Sequence, residues 1–255
     1  MLLLYKATLA PALLWQGSRL RRTALRLPEP EGERSGVVAG TPGDRAVRVL
    51  VIGDSSAAGV GVEHQQEALA GPIAVALAQR TGCTVHWQLA ARSGLDTVQA
   101  RQFLRTVPLQ PADVIVSALG VNDVTSQTPP ALFVRQYKQL LRDVRRRTGA
   151  RIGIVSGVPP LHQLPAAPQP LRWYLGQCAR RLDQELQYFC EKEGRLRYLS
   201  LHWADPREMS QDRFHPGPVQ YARWAQMNAE AIARALVLPC PETTATGPSA
   251  TLRTG

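Results

Sequence analysis

Apolar positions along the chain follow two alternating patterns. Short continuous runs rich in branched residues occupy 47–52, 85–90, 112–119, 152–155 and 196–201. The first and third end at Gly53 and Gly120. Apolar runs of this length, bounded by turn residues, predict strands buried on both faces. Between them the period lengthens. Residues 68–80 are rich in Ala and stop at Gly82, as a helix with a glycine cap would. Residues 97–107 have a helical pattern, with Asp96 or Thr97 placed to cap it. From Pro130 onward, Phe133, Tyr137, Leu140, Leu141 and Val144 recur on one helical face. A longer helix carries Leu175, Cys178, Ala179, Leu182, Leu186, Phe189 and Cys190 and stops at Gly194. A last helix spans 219–236, with Ala222, Ala225, Ala229, Ile232 and Leu236 facing inward.

Five strands alternating with helices predict an α/β fold: a central five-stranded parallel sheet covered on both faces. Right-handed crossovers restrict its topology. In such sheets ligands bind beyond the carboxyl ends of the strands. The residues that follow each strand are therefore the place to look for chemistry.

The ends of the chain have a different character. Residues 1–15 are mostly apolar but are interrupted by Lys6 and Pro11, and Arg19, Arg21 and Arg22 follow. A secretory signal has the opposite order, charge first. Either the segment docks on the protein's own surface, or it lies in a membrane interface with Trp15 and the arginines at headgroup depth. The second reading leaves the domain on the cytoplasmic side. Residues 27–44 carry Pro28, Pro30, Gly32, Gly36, Gly40, Pro42 and Gly43 and read as a linker or irregular loop. Residues 239–255 lack any period and read as a disordered tail. The expected division is thus a segment and linker at 1–45, one domain at 46–238 and a tail at 239–255. The expected location is cytoplasmic, with residues 1–22 as the segment for peripheral contact at the inner face of a membrane; export is the alternative.

Composition narrows the picture. The chain has 255 residues, 44% of them hydrophobic and 20% charged, which excludes a mostly disordered chain, a collagen-like chain and a disulfide-rich scaffold. No uninterrupted apolar stretch reaches the roughly 18 residues of a spanning helix. The net charge is +10, and 27 of the 30 basic residues are Arg. This excess is spread along the chain without an aromatic-interleaved stripe, so no nucleic-acid partner is expected. The arginine-rich run at 142–147 lies largely off the apolar helix face and reads as solvated. Of the four cysteines, none stands in a Cys-x-x-Cys pair, and no His completes a zinc site. Cys178 and Cys190 fall on one helix, roughly 18 Å apart along its axis. That is too far for a disulfide, so buried thiols in a reducing compartment are expected.

Four short motifs carry the candidate chemistry. Gly53-Asp54-Ser55 follows the first strand, and a Ser at a strand-to-helix turn exposes its hydroxyl beside the first helical N–H groups. Neither Gly-x-Ser-x-Gly nor a phosphate-binding Gly-Lys-Ser is present. Arg92-Ser93-Gly94 follows the second strand and Gly120-Val121-Asn122-Asp123 the third. Asp212-Arg213-Phe214-His215 precedes the last helix. Acyl transfer needs donors where the oxyanion forms, a base for the nucleophile, and a carboxylate that fixes the base's tautomer. Asp54 is read as a local hydrogen-bonding residue that shapes the turn. His64, His86, His162 and His202 match no partner.

In this order these residues resemble the SGNH (GDSL-type) hydrolase family, over roughly 47–237. The resemblance implies a flavodoxin-like three-layer α/β/α sandwich. It also implies Ser55, Asp212 and His215 as catalytic residues, and Ser55, Gly94 and Asn122 as the oxyanion hole. Members are esterases, lipases, thioesterases, carbohydrate-ester hydrolases and a few acyltransferases. The expected activity is hydrolysis of small or lipid-like acyl esters through an acyl-enzyme, with no metal or cofactor. The alternatives are an O-acyltransferase using the same serine and a non-catalytic membrane-surface module. The Pro-rich loop at 159–170, with Leu161, Leu164 and nearby Trp173, is the expected apolar acyl groove; the competing reading is a loop packed on its own core.

Overall fold

The computed structural model describes residues 2–41 and 45–236. The expected tail at 239–255 and Cys240 lie outside the described residues. The elements run α1 (Leu2–Thr23), β1 (Ser35–Val38), β2 (Ala46–Gly53), α2 (Ser55–Ala58), α3 (Ala70–Thr81), β3 (Thr84–Ala91), α4 (Thr97–Thr106), β4 (Val114–Ala118), α5 (Val121–Thr125), α6 (Pro130–Thr148), β5 (Ile152–Ser156), α7 (Leu171–Lys192), β6 (Leu196–Leu199) and α8 (Pro218–Leu236).

The sheet order is β1-β3-β2-β4-β5-β6. β2 to β6 are all parallel, and without β1 they form the flavodoxin-like order. The expected all-parallel sheet of five strands is corrected by β1, which pairs antiparallel with β3, Ser35 opposite Gln88 and Val38 opposite Val85. β1 lies inside the stretch read as a linker. It is a four-residue edge strand with half its side chains exposed, so it has no buried apolar run to announce it. Its position depends on the free edge of β3, a long-range partner.

Strand periodicity sorts the core into two layers. Leu50 and Ile52 of β2 face one side, with α4, α6 and α7. Val47, Val49 and Val51 face the other, with α3 and α8. The first layer is filled by large side chains such as Phe133, Tyr137, Leu140 and Leu186, all fully buried. The second is rich in alanine, with Ala74, Ala78, Ala225 and Ala229 letting α3 and α8 pack closely. The α6 stripe lies inward as its spacing predicts. Asp96, not Thr97, caps α4, in a reciprocal box with Gln99.

Helix α1 settles on the body of the protein. Leu9, Leu13 and Leu20 pack on the first layer. The Gln16 amide donates to Gln169 O at 2.7 Å, and its oxygen accepts from Leu171 N at 3.1 Å. The Tyr5 ring meets Trp173 edge-on at 4.9 Å. The arginine run of α6 is only partly solvated. Arg147 donates to Leu104 O and to Val107 O, closing the end of α4, while Arg145 donates to Ala150 O. α7 is continuous and keeps Cys178 and Cys190 apart on its length.

Candidate active site

The site is built where β2, with β3 on one side and β4 on the other, releases the chain at its carboxyl end. β2 ends at Gly53, where a Cβ would come within 2.2 Å of Ala118 O and 2.5 Å of the Ala57 side chain. Glycine thus lets the turn tuck under β4 and start α2 at once. Asp54 caps α2, its Oδ1 accepting from Ser56 N at 3.1 Å. Its own N–H donates to Ala118 O. Ser55 is the first residue of α2, so its N–H has no partner within the helix.

His215 arrives from the loop before α8. Its Nε2 lies 2.8 Å from Ser55 Oγ, and its Nδ1 lies 2.6 Å from Asp212 Oδ2. The turn that carries them is self-contained. Asp212 Oδ1 accepts from Ser210 Oγ at 2.8 Å, Phe214 N at 2.9 Å and His215 N at 3.0 Å. Arg213 takes a left-handed conformation, φ 58°, to close it. Met209 and Pro216 form a bridge at its base. Burial works to raise the Asp212 pKa. The His215 ring, the two N–H groups and the Ser210 hydroxyl outweigh it and hold the carboxyl well below the usual range.

The Asn122 side chain sits at the start of α5. Its Nδ2 donates to Leu95 O at 3.0 Å and, more weakly, to Asp54 Oδ2 at 3.3 Å. Gly94, at φ +80°, precedes Leu95, and a Cβ there would meet nothing within 4 Å. The space on the side-chain side of its Cα is therefore open. One hydrogen-bonded chain thus ties the four motifs together. Asp212 holds His215, and His215 meets Ser55. The neighbour of Ser55, Asp54, holds Asn122, and Asn122 holds the Gly94 loop.

Beneath this lies a buried polar layer that sequence reasoning missed. Asp123 is 1% exposed, and its Oδ2 accepts from Thr97 N and Thr97 Oγ1. Burial pushes Asp123 up to about 6, against the Thr97 bonds. Burial pushes Asp54 up to about 7, with Asp123 adding to it and Ser56 N–H, His215 and Asn122 opposing. Glu29 was also missed. One carboxylate oxygen accepts from Ser93 N at 2.7 Å and the other from Arg34 at 2.8 Å, so the stretch read as a linker holds the loop bearing Gly94. Burial raises the Glu29 pKa, but Arg34 and Ser93 bring it below its usual value. Tyr221 OH donates to Ser56 O and Val60 O, pinning α2 and the loop after it. Only Ser210, two residues before Asp212, left a local trace; the rest act across long sequence distances.

An apolar cavity of about 70 Å³ opens beside Asp54 and Ser56. Leu161 and Leu164 line it, with Leu201, Trp203, Phe214 and Trp224. Trp173 is not part of this lining and instead packs on Tyr5 of α1. It stands on α7, past the loop whose Leu161 and Leu164 reach inward. His202, which matched no partner in the sequence, has one: its Nε2 lies 3.3 Å from Asp183 Oδ2. Asp183 also accepts from Tyr198 OH and from Val158 N, at the start of the cavity loop.

Comparison with known proteins fits this geometry. A GDSL-like esterase of Mycobacterium tuberculosis is 27% identical over 222 residues, covering 82% of this chain and 70% of that protein. A lipase/acylhydrolase from Enterococcus faecalis superposes with a TM-score of 0.59 at 18% identity, over 76% of this chain and 98% of that one. A family 2 carbohydrate esterase with a carbohydrate-binding domain, from Corynascus thermopiles (Myceliophthora fergusii), gives a TM-score of 0.61 at 17% identity, over 78% of this chain and 68% of that one. At these identities the structural matches speak for the fold. Residues 51–223, from within β2 to the first turns of α8, match the GDSL-like lipase/acylhydrolase family, and the chain belongs to that family.

Proposed function

We propose that this esterase-family protein hydrolyses carboxylic esters through an acyl-enzyme on Ser55. The observation that carries this reading is the unbroken relay from Ser55 Oγ through both ring nitrogens of His215 to Asp212. Asp212, held ionised, keeps the Nδ1 proton of His215 and leaves Nε2 as the acceptor. Nε2 takes the Ser55 proton as Oγ bonds to the carbonyl carbon. The carbonyl oxygen becomes an oxyanion facing Ser55 N–H, Gly94 N–H and the Asn122 hydrogen that Asp54 holds only weakly. Each such donor is worth about 2.7–4 kcal/mol of barrier. The tetrahedral species collapses by breaking the bond to the alcohol oxygen, and His215 returns the proton to the departing alcohol. Water then attacks the acyl-enzyme and gives its proton to His215. The acid leaves, and Ser55 regains its hydrogen.

The apolar cavity beside Ser56 is the proposed acyl site, with Leu161 and Leu164 in its wall. Its small volume favours short acyl chains. Trp173, on the α1 side, has no place in this assignment. The test is a panel of esters from acetyl upward. Ser55→Ala should abolish turnover with the fold intact, and a fluorophosphonate should label Ser55 and nothing else. Turnover retained in Ser55→Ala, or no labelling of a folded chain, would sink the mechanism. Leu161→Ala should extend the accepted chain length, whereas Trp173→Ala should leave it unchanged. Adding alcohol acceptors and analysing the products separates hydrolysis from acyl transfer, since water and alcohol compete for one acyl-enzyme.

A further inference from the structure

The two sides of α1 meet different surroundings. Its inner side is spent on the protein, through Leu9, Leu13, Leu20 and the Gln16 clamp. Its outer side leaves Leu14 70% and Trp15 60% exposed. Tyr5 and Leu25 are also exposed, so four of the nine exposed large hydrophobic side chains among the described residues lie in this one stretch. Isolated surface apolars are ordinary, but a concentration of them is not. Arg19, Arg21 and Arg22 continue the stretch, and no acidic residue precedes Glu29. The Arg19 guanidinium lies 5.4 Å from the Trp15 ring centre, and Arg22 donates to Ser18 Oγ rather than to a carboxylate. By helical phase Leu14, Trp15, Ser18, Arg21 and Arg22 share the outward side. That side is apolar first and cationic one to two turns later.

We propose that this outward side docks on an anionic lipid bilayer. Leu14 and Trp15 enter the headgroup region, where an indole is favoured. Arg19, Arg21 and Arg22 pair with lipid phosphates. The charge is what selects this partner: five cations (with Lys6 and Arg26) and no acid favour a surface dense in negative charge. No described helix is long and apolar enough to cross a membrane, so the contact is one of surface attachment. The docked helix is also joined to the site. Gln16 bonds to Gln169 and Leu171, at the end of the loop whose Leu161 and Leu164 line the acyl cavity. Attachment would bring that loop to the lipid surface. This last step rests on the ester-hydrolase reading; the docking does not.

The experiment is co-sedimentation of the full chain with vesicles of phosphatidylglycerol and phosphatidylcholine, or of phosphatidylcholine alone. The protein should sediment with the anionic vesicles only, and high salt should release it. Arg19→Glu/Arg21→Glu/Arg22→Glu should weaken binding roughly a hundredfold, and Leu14→Glu/Trp15→Glu should abolish it. Both variants should keep the wild-type melting midpoint and the wild-type rate on a water-soluble short ester. If the apolar pair fails to fold, the arginine variant, altered only at exposed or half-exposed positions, decides alone. No binding, equal binding to neutral vesicles, or wild-type binding by the variants would overturn the proposal. So would a self-associating chain whose dimer is lost in Leu14→Glu/Trp15→Glu without vesicle binding, which would assign the surface to a second copy. A chain that binds vesicles but cleaves no ester would refute the proposed chemistry and leave the docking standing.

Discussion

Two buried carboxylates flank the Ser55–His215 contact, and their surroundings drive them in opposite directions. Asp212 is enclosed by the His215 ring, two backbone N–H groups and a hydroxyl, all donors. Asp54 receives one N–H at 3.1 Å and one amide hydrogen at 3.3 Å, and shares its buried surroundings with Asp123. Both lose water on folding, but only Asp212 is given enough donors to replace it. Burial alone therefore does not set a carboxylate's charge; the count and closeness of its donors do. A short local turn supplies all of Asp212's donors, whereas Asp54 has one local donor, Ser56 N–H, and draws its second from Asn122 of α5.

Removing the charge at each position should separate them most sharply. Asp212→Asn should cut kcat by about 10⁴, as expected where the carboxylate fixes the tautomer of the base. Asp54→Asn should cost about tenfold, since it weakens one neighbour's hydrogen bond while an Asn still caps α2. Steady-state kinetics on a short ester measure both, and equal losses would break the distinction.

Stability against pH gives the next contrast. The Asp54 carboxyl titrates at about 7 in the folded chain, against an ordinary 3.8. Between those values the folded state keeps a proton that the unfolded state has released, so stability falls as pH rises from about 4 to 7 and levels off above. The Asp212 pKa lies below its ordinary value, so its contribution is present above about pH 4 and is lost on further acidification. Urea unfolding across this range should show a shallower descending limb in Asp54→Asn, ending near pH 6 where the remaining Asp123 share is complete, and should keep the acid limb. The smallest effect is expected from Ser210→Ala. It removes one of the donors to Asp212, costs about 1 kcal/mol, and should move the acid limb to higher pH.

What the sequence reveals follows from how local each signal is. Helices α3, α4, α6, α7 and α8 and the parallel strands were legible because each buries an apolar pattern of its own, as in the α6 stripe of Phe133, Tyr137, Leu140 and Val144. Helix α1, whose apolar run is broken by Lys6 and Pro11, was read only as a segment. Ser55, Gly94, Asn122 and His215 were legible because each stands in a short motif beside an element end. β1 was not, because its pairing with β3 leaves no apolar run. Asp123, Glu29 and Tyr221 were not, because the bonds that tie them to the site, to Thr97, Ser93 and Ser56, span 26 residues or more and leave no periodic trace. Trp173 misled for the opposite reason: closeness in sequence to Leu164 did not carry it into the same cavity, since the turn into α7 sends it toward Tyr5.

The Glu29–Ser93 contact has a practical corollary for anyone shortening this chain. The family match begins at residue 51, and the first long parallel strand begins at Ala46. A fragment cut there would retain every residue of the Ser–His–Asp relay. It would also discard Glu29 and Arg34, which fasten the Ser93 N–H and the Ala91 carbonyl next to Gly94. The smallest piece able to hold its Gly94 loop in place therefore starts ahead of Glu29, well upstream of where family resemblance would place the scissors.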